Sequence, residues 1–172
     1  MVDLDVTIVG GQAAHMTDHE ALHAAYNASR GHAECYISAT AATTISVKET
    51  AYKAAGTTTL STTPAAVNFT MPANNRLTYT GATTAAAFIS AVLTCTTAGT
   101  NDLLGFHIAK GGTVVASTHI DRFVGTGTDQ GAVAVQLLCS LATNEYVEVW
   151  VENESAAADI TVEHMSLVAI TL

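Results

Sequence analysis

The residue pattern with the sharpest chemical meaning is His19-Glu20-Ala21-Leu22-His23. On a helix, two histidines four apart share one face and can hold zinc while the intervening glutamate activates water. The local sequence supplies the helix. Thr17 and Glu20 fit a capping box, Asp18 and Glu20 put negative charge in the first turn, and Gly31 follows the end. The spacing predicts a helix over Asp18–Arg30. The rest of a zinc protease is not there. No strand-rich segment precedes the match to form a cleft. A metzincin continuation needs a glycine at position 26 and a histidine at position 29, where the chain has Tyr26 and Ser29. The capping role also occupies Glu20, and His15, at the same spacing, precedes the expected cap. No metal site, cofactor or catalytic residue is assigned, and an enzyme is not expected.

The other polar constellations are weaker. In strand geometry His119 and Asp121 share a face beside Arg122, but no nucleophile accompanies them. Gly125-Thr-Gly-Thr-Asp-Gln-Gly131 lacks the Lys-Ser/Thr ending and the helix of a phosphate loop, and reads as a strand connection. His32, His107 and His164 have no ligand spacing and read as polar surface or interface residues. Cys35, Cys95 and Cys139 are odd in number, form no CxxC pair and sit in apolar strand-like stretches. They read as small buried hydrophobes in a reducing compartment, with no disulfide framework. The start, Met1-Val-Asp-Leu-Asp, has neither the basic nor the apolar region of a secretory signal, so export by the general secretory route is not expected.

These residues must be positioned by a chain of unusual composition. Of 172 residues, 12% are charged and 49% apolar, with 31 Ala and 27 Thr. About a quarter charged is typical. Apolar content this high excludes disorder, and the apolar runs are far shorter than the ~20 residues a membrane helix needs. The net charge is −9, and no two of the six basic residues are adjacent. A basic stripe for nucleic acid or anionic lipid is absent. A charge-poor soluble chain of mean hydropathy +0.32 suggests surface buried in an assembly.

Composition shifts near Gly31–Glu34 and predicts an N-terminal arm, residues 1–33, followed by a β domain, residues 34–172. The arm begins with a short strand, Asp5–Val9, and its helix carries a thin apolar stripe of Leu22, Ala25, Tyr26 and Ala28. A helix this short is marginal alone and needs a docking surface. In the domain, Tyr146–Glu152 alternates, with Val147, Val149 and Val151 toward a core and Tyr146, Glu148, Trp150 and Glu152 toward solvent or a partner. Further strands are expected at Cys35–Ala39, Thr44–Val47, Phe69–Met71, Arg76–Thr80, Phe88–Cys95, Leu104–Ala109, Val114–His119, Ala132–Leu138 and Ile160–Thr171. Eight to ten short strands with Gly, Asn and Thr turns predict a mainly β, antiparallel sandwich or barrel rather than a doubly wound sheet.

The stretch from Asn75 onward resembles the jelly-roll domains of the tumour-necrosis-factor and complement globular-head type, in their phage-borne versions. The resemblance is carried by Tyr79-Thr80-Gly81 leading into Phe88–Thr94, by Phe106-His-Ile-Ala-Lys-Gly-Gly-Thr113, by Gly125–Gly131, and by Leu141-Ala-Thr-Asn-Glu-Tyr-Val-Glu-Val-Trp-Val-Glu-Asn153. The family often has Gly-Asp where this chain has Asn144-Glu145. In the arm, Asp18-His-Glu-Ala-Leu-His-Ala-Ala-Tyr-Asn27 is similar to the DH-x-x-LH-x-x-x-N segment near the N-termini of tailed-phage virion proteins. These likenesses imply a jelly roll of about eight to ten strands. They imply a homotrimer that binds the major capsid protein on the outer capsid surface as a decoration or cement protein, made in the host cytoplasm. Asp3, Leu4, Asp5, Val6, Ile8, Val9, His15, Leu22 and Tyr26 would be the anchoring residues. Tyr146, Trp150 and His119 are candidates for the trimer interface. The alternative they imply is a head- or tail-fibre module that binds a host receptor or glycan.

Overall fold

Alternation of small or branched apolar residues with polar ones builds thirteen strands among the residues that the computed structural model describes, 16–17, 19–24, 30–126 and 129–172. They are β1 (His32–Ala39), β2 (Ala42–Thr43), β3 (Tyr52–Lys53), β4 (Thr57–Leu60), β5 (Phe69–Thr70), β6 (Leu77–Tyr79), β7 (Ala85–Thr97), β8 (Asp102–Lys110), β9 (Thr113–Val114), β10 (Ile120–Val124), β11 (Gly131–Leu141), β12 (Tyr146–Asn153) and β13 (Ile160–Thr171). All pair antiparallel in two sheets. Sheet A runs β11-β7-β13-β1-β4, with β2 beside β13. Sheet B runs β10-β8-β12-β6-β5, with β3 beside β12 and β9 beside β8. From β7 onward the chain passes from A to B and back, twice over, which is the connectivity of a jelly-roll sandwich.

The core lies between the sheets. Sheet A contributes Ile89, Leu93, Val135, Leu141, Ile160, Val162 and Leu167, and sheet B contributes Leu77, Tyr79, Leu104, Phe106, Ile108, Val147, Val149 and Val151. Full burial of side chains of this size stabilises by roughly 1.5–3 kcal/mol each. The turn Lys110-Gly111-Gly112-Thr113 has φ of 61° and 77° at its two glycines, the primed geometry that joins β8 to β9 without splaying them. Asn144 takes φ 69° between β11 and β12, a conformation that asparagine tolerates better than most side chains.

Several expectations need correction. The strand expected at Val114–His119 stops at Val114. The Thr118 hydroxyl accepts the N–H of Ile108 at 2.9 Å and donates to the Val115 carbonyl at 2.7 Å, closing a 3₁₀ turn at Ala116–Thr118 instead. Thr44–Val47 is not a strand either. Its N–H groups go to side chains, Ile45 to Asp159 Oδ1 at 3.1 Å and Val47 to the Tyr52 hydroxyl at 3.1 Å. Four strands were not foreseen: β2, β3, β4 and β10. In the arm, helical backbone covers Met16 and Thr17 and residues 19–24, so Thr17 lies inside the helix rather than at its cap, and Arg30 is already outside it. The expected strand at Asp5–Val9 lies outside the described residues. The β body takes in Gly31 and His32: Thr171 N donates to Gly31 O at 2.9 Å, and His32 N donates to Val67 O at 3.0 Å.

Candidate functional site

Two surfaces of the sandwich depart from an ordinary polar exterior. The first is the outer face of sheet A. Register places its outward side chains in rows across the strands: Leu138, Phe88, Ile170 and His32; then Gln136, Ser90, Val168 and Glu34; then Ala134, Val92, Ser166 and Tyr36. Glu34 is the only charged residue in these rows, and Ser166 Oγ donates to it at 2.7 Å. Leu138 is 67% exposed and Val92 55%, and Tyr36 and Ile170 also face solvent. Beside them lies a hollow of about 550 Å³ bounded by His32, Ala33, Glu34, Pro64, Val168 and Ile170. Threonine, serine and glutamine keep this face wettable without charge.

The second is the outer face of sheet B, which buries charge. Glu148 is 1% exposed. Its Oε1 takes Lys53 Nζ and Arg76 Nε, each at 2.8 Å, and its Oε2 accepts from Trp150 Nε1 at 3.1 Å. Burial pushes this carboxyl up, but those three donors outweigh it and hold Glu148 below the ordinary carboxylate range. Arg76 also lies 3.9 Å above the Tyr146 ring. Further along β12, Glu152 Oε1 meets His107 Nε2 at 2.7 Å and His119 Nε2 at 3.5 Å. His119 Nε2 also lies 2.7 Å from Asp121 Oδ1 and 3.0 Å from Glu154 Oε1. The two imidazoles stack with centroids 4.4 Å apart. Burial and then the Asp121 charge push the Glu154 carboxyl up. Register builds this cluster: Asp121 and Glu152 flank Gly105 on neighbouring strands, and Trp150 pairs with His107.

The sequence candidates distribute unevenly over these surfaces. Tyr146, Trp150 and His119 all lie on the outer side of sheet B, each already engaged within the chain as above. Leu22 is exposed on the arm helix. Asp3, Leu4, Asp5, Val6, Ile8, Val9, His15 and Tyr26 lie outside the described residues. The rings of His19 and His23 adjoin at 4.4 Å, as the four-residue spacing requires. The His and carboxylate groups that cluster among the described residues are not there but around His119. His107, read as a surface or interface residue, is instead 5% exposed. Glu148 and Glu152, read as facing solvent or a partner, are buried. The β12 alternation placed them on the correct face, but that face is roofed by Lys53, Arg76 and His119, which come from elements far away in sequence. Cys35 and Cys95 are buried as expected, and burial pushes both thiols up to about 12.

No family model and no curated protein matches the chain. Among solved structures, it is similar to the Eiger TNF from S. frugiperda, at 8% identity and a TM-score of 0.54, covering 84% of this chain and 93% of that one. It also matches the PRD1 vertex protein P5, at 10% identity and a TM-score of 0.43, over 84% of this chain and 97% of that one. With the strand order of the two sheets, the first likeness gives the fold: a jelly-roll sandwich. At such identity it speaks to fold alone. No helix among the described residues is long and apolar enough to cross a membrane.

Proposed function

We propose that the chain is a structural virion protein that assembles as a homotrimer on the outer surface of a capsid, anchored there by the arm that precedes the β body. The observation that carries this reading is the outer face of sheet A. Val92, Leu138, Ile170 and Tyr36 stand exposed in one registered surface with a single charge, Glu34. Apolar patches of this kind mark association surfaces. The jelly-roll likeness implies three copies side by side with one sheet of each near the axis, and sheet A has the face for that role. The virion assignment draws on the likeness of Asp18–Asn27 to the arms of tailed-phage virion proteins. On this reading the protein works by reinforcement, burying apolar and backbone area across joints between capsid subunits.

Two measurements test it. Sedimentation equilibrium of the full chain is expected to give three protomers, and a stable monomer overturns the assembly. Capsids lacking the protein are then mixed with the full chain and with a Leu4→Asp, Val6→Asp, Ile8→Asp variant. The full chain is expected to bind and the variant to fail. Equal binding removes the anchoring role, and binding of the trimer to host cells but not to capsids replaces this function with that of a fibre module.

A further inference from the structure

The His119 cluster holds more acceptors than its protons can satisfy. Three carboxylate oxygens, from Asp121, Glu154 and Glu152, lie 2.7, 3.0 and 3.5 Å from His119 Nε2, which carries at most one hydrogen. His107 brings one more Nε2–H, directed at Glu152, while its own Nδ1 is buried without a partner. Lys53 and Arg76 pair with Glu148, Lys110 with Glu145, and Lys48 with Glu49, while Arg122 alternates to the other side of β10 from Asp121, with its Cγ toward Gly131. A partly buried place with converging oxygens, an imidazole nitrogen and no ammonium or guanidinium is short of one positive centre.

The floor of the cluster is Gly105. A Cβ there would stand 2.8 Å from Glu152 Oε1 and 2.8 Å from His119 Nε2, so the space over Gly105 exists only because this position has no side chain. The walls are held in register, with Asp121 on β10 and Glu152 on β12 both opposite Gly105 on β8. The ligating atoms of His119, Asp121 and Glu154 lie within 4.8 Å of one another. Two donors at ordinary zinc distances from a common ion sit about 3.3 Å apart in tetrahedral geometry, so shifts of an ångström or less suffice.

We propose that His119 Nε2, Asp121 Oδ1 and Glu154 Oε1 bind a divalent first-row transition ion, with the His107–Glu152 pair beside them as outer support. The imidazole favours zinc or a similar ion over calcium, which takes six or more oxygens. Glu152, held by His107 Nε2 at 2.7 Å, adds a negative charge 3.5 Å from His119 Nε2, the outer support that metal sites ordinarily have. The ion would pin the end of the 3₁₀ turn and the edge strand β10 to the exit of β12. The site is separate from the His19/His23 pair on the arm, and it does not depend on the capsid reading.

The test is a calorimetric titration of chelator-treated full-length protein with zinc chloride, and separately with calcium chloride. It is repeated on Asp121→Asn/Glu154→Gln and on His19→Ala/His23→Ala. One zinc per chain is expected at the cluster, with affinity falling about 10- to 100-fold or more in the carboxylate variant. The arm variant is expected to keep that zinc, and calcium to bind more weakly. Binding that survives the carboxylate changes and disappears with the arm histidines overturns the proposal, as does no zinc binding up to about 100 µM. Should the carboxylate variant not fold, cobalt added to the unaltered protein decides by NMR. Broadening of the His119 and His107 ring signals is expected, and broadening confined to His19 and His23 overturns the assignment.

Discussion

The side chain of Asn75 pairs with both backbone polar groups of Val149: its Nδ2 donates to the Val149 carbonyl at 2.7 Å, and its Oδ1 accepts the Val149 N–H at 3.1 Å. One side-chain amide thus does for β12 what a neighbouring strand would do. The same Nδ2 reaches Ala54 O at 3.2 Å, and Asn75 N donates to Thr58 Oγ1 at 2.7 Å. Asn75 is buried and holds φ 51°, a region in which asparagine is enriched over most residues.

Asn75→Leu should therefore cost about 2–4 kcal/mol. It strands the Val149 amide in the interior, leaves the Val149 carbonyl only the Ala54 N–H, and puts a branched side chain at positive φ. Urea denaturation measures the loss as a lower midpoint. An unchanged midpoint would mean that the Val149 groups find other partners.

Glu148 sets an acid limit on stability. Its folded carboxyl titrates below the ordinary value near 4.5, so its contribution is complete above that value and is lost as pH falls through the lowered one. Glu145, held low by the Ala142 N–H and Lys110, acts in the same direction. The urea midpoint should fall below about pH 4.5, and Glu148→Gln should make that fall shallower. At pH 7 the variant should lose about 2–3 kcal/mol, because Lys53 and Arg76 then face a neutral amide. Part of that loss is offset because both cations reach solvent.

The cysteines differ in reactivity. With thiols pushed up to about 12, Cys35 and Cys95 should resist alkylation at pH 8 until the protein unfolds. Cys139 is only half-buried, and although burial also raises its thiol it should label first. Peptide mass mapping after timed iodoacetamide treatment gives the order. Rapid native labelling of Cys35 would contradict its placement between β13 and β4.

Val92→Glu probes the proposed assembly face. Val92 is exposed in the single chain, so the change should alter monomer stability by no more than about 0.5 kcal/mol. In an assembled trimer it would bury a carboxylate among Tyr36, Ser166 and Ala134 and should shift the sedimentation mass from three protomers to one. A trimer that tolerates the change would place the threefold contact elsewhere, with the sheet B residues Tyr146, Trp150 and His119 next to be tested.

The fold was legible where one strand face is strictly apolar. Ile160–Thr171 was placed at its observed limits, and β7, β8, β11 and β12 were located with only their ends short, because their alternation leaves one solution. β10 escaped notice because Asp121, Arg122 and Phe123 are all exposed in it, so no period-two signal marks an inner face. β3 is only two residues long and β4 is mostly threonine, and the pairing of both is set by partners remote in sequence. The His119 cluster was half legible. A shared face for His119 and Asp121 follows from spacing, but His107, Glu152 and Glu154 join them only through the β8–β12 register, which no local pattern encodes.

The corner where Gly31 meets Thr171 has a mechanical consequence. Strand β1 is flanked by β13 through five registered pairs and by β4 through four. Tension drawn along the arm enters in line with β1, so both ladders are sheared together and share the load. Tension applied at Gly31 against Leu172 instead opens β1 from β13 one rung at a time. The body is thus stiff toward a pull from the arm and weak toward a pull between its adjacent ends.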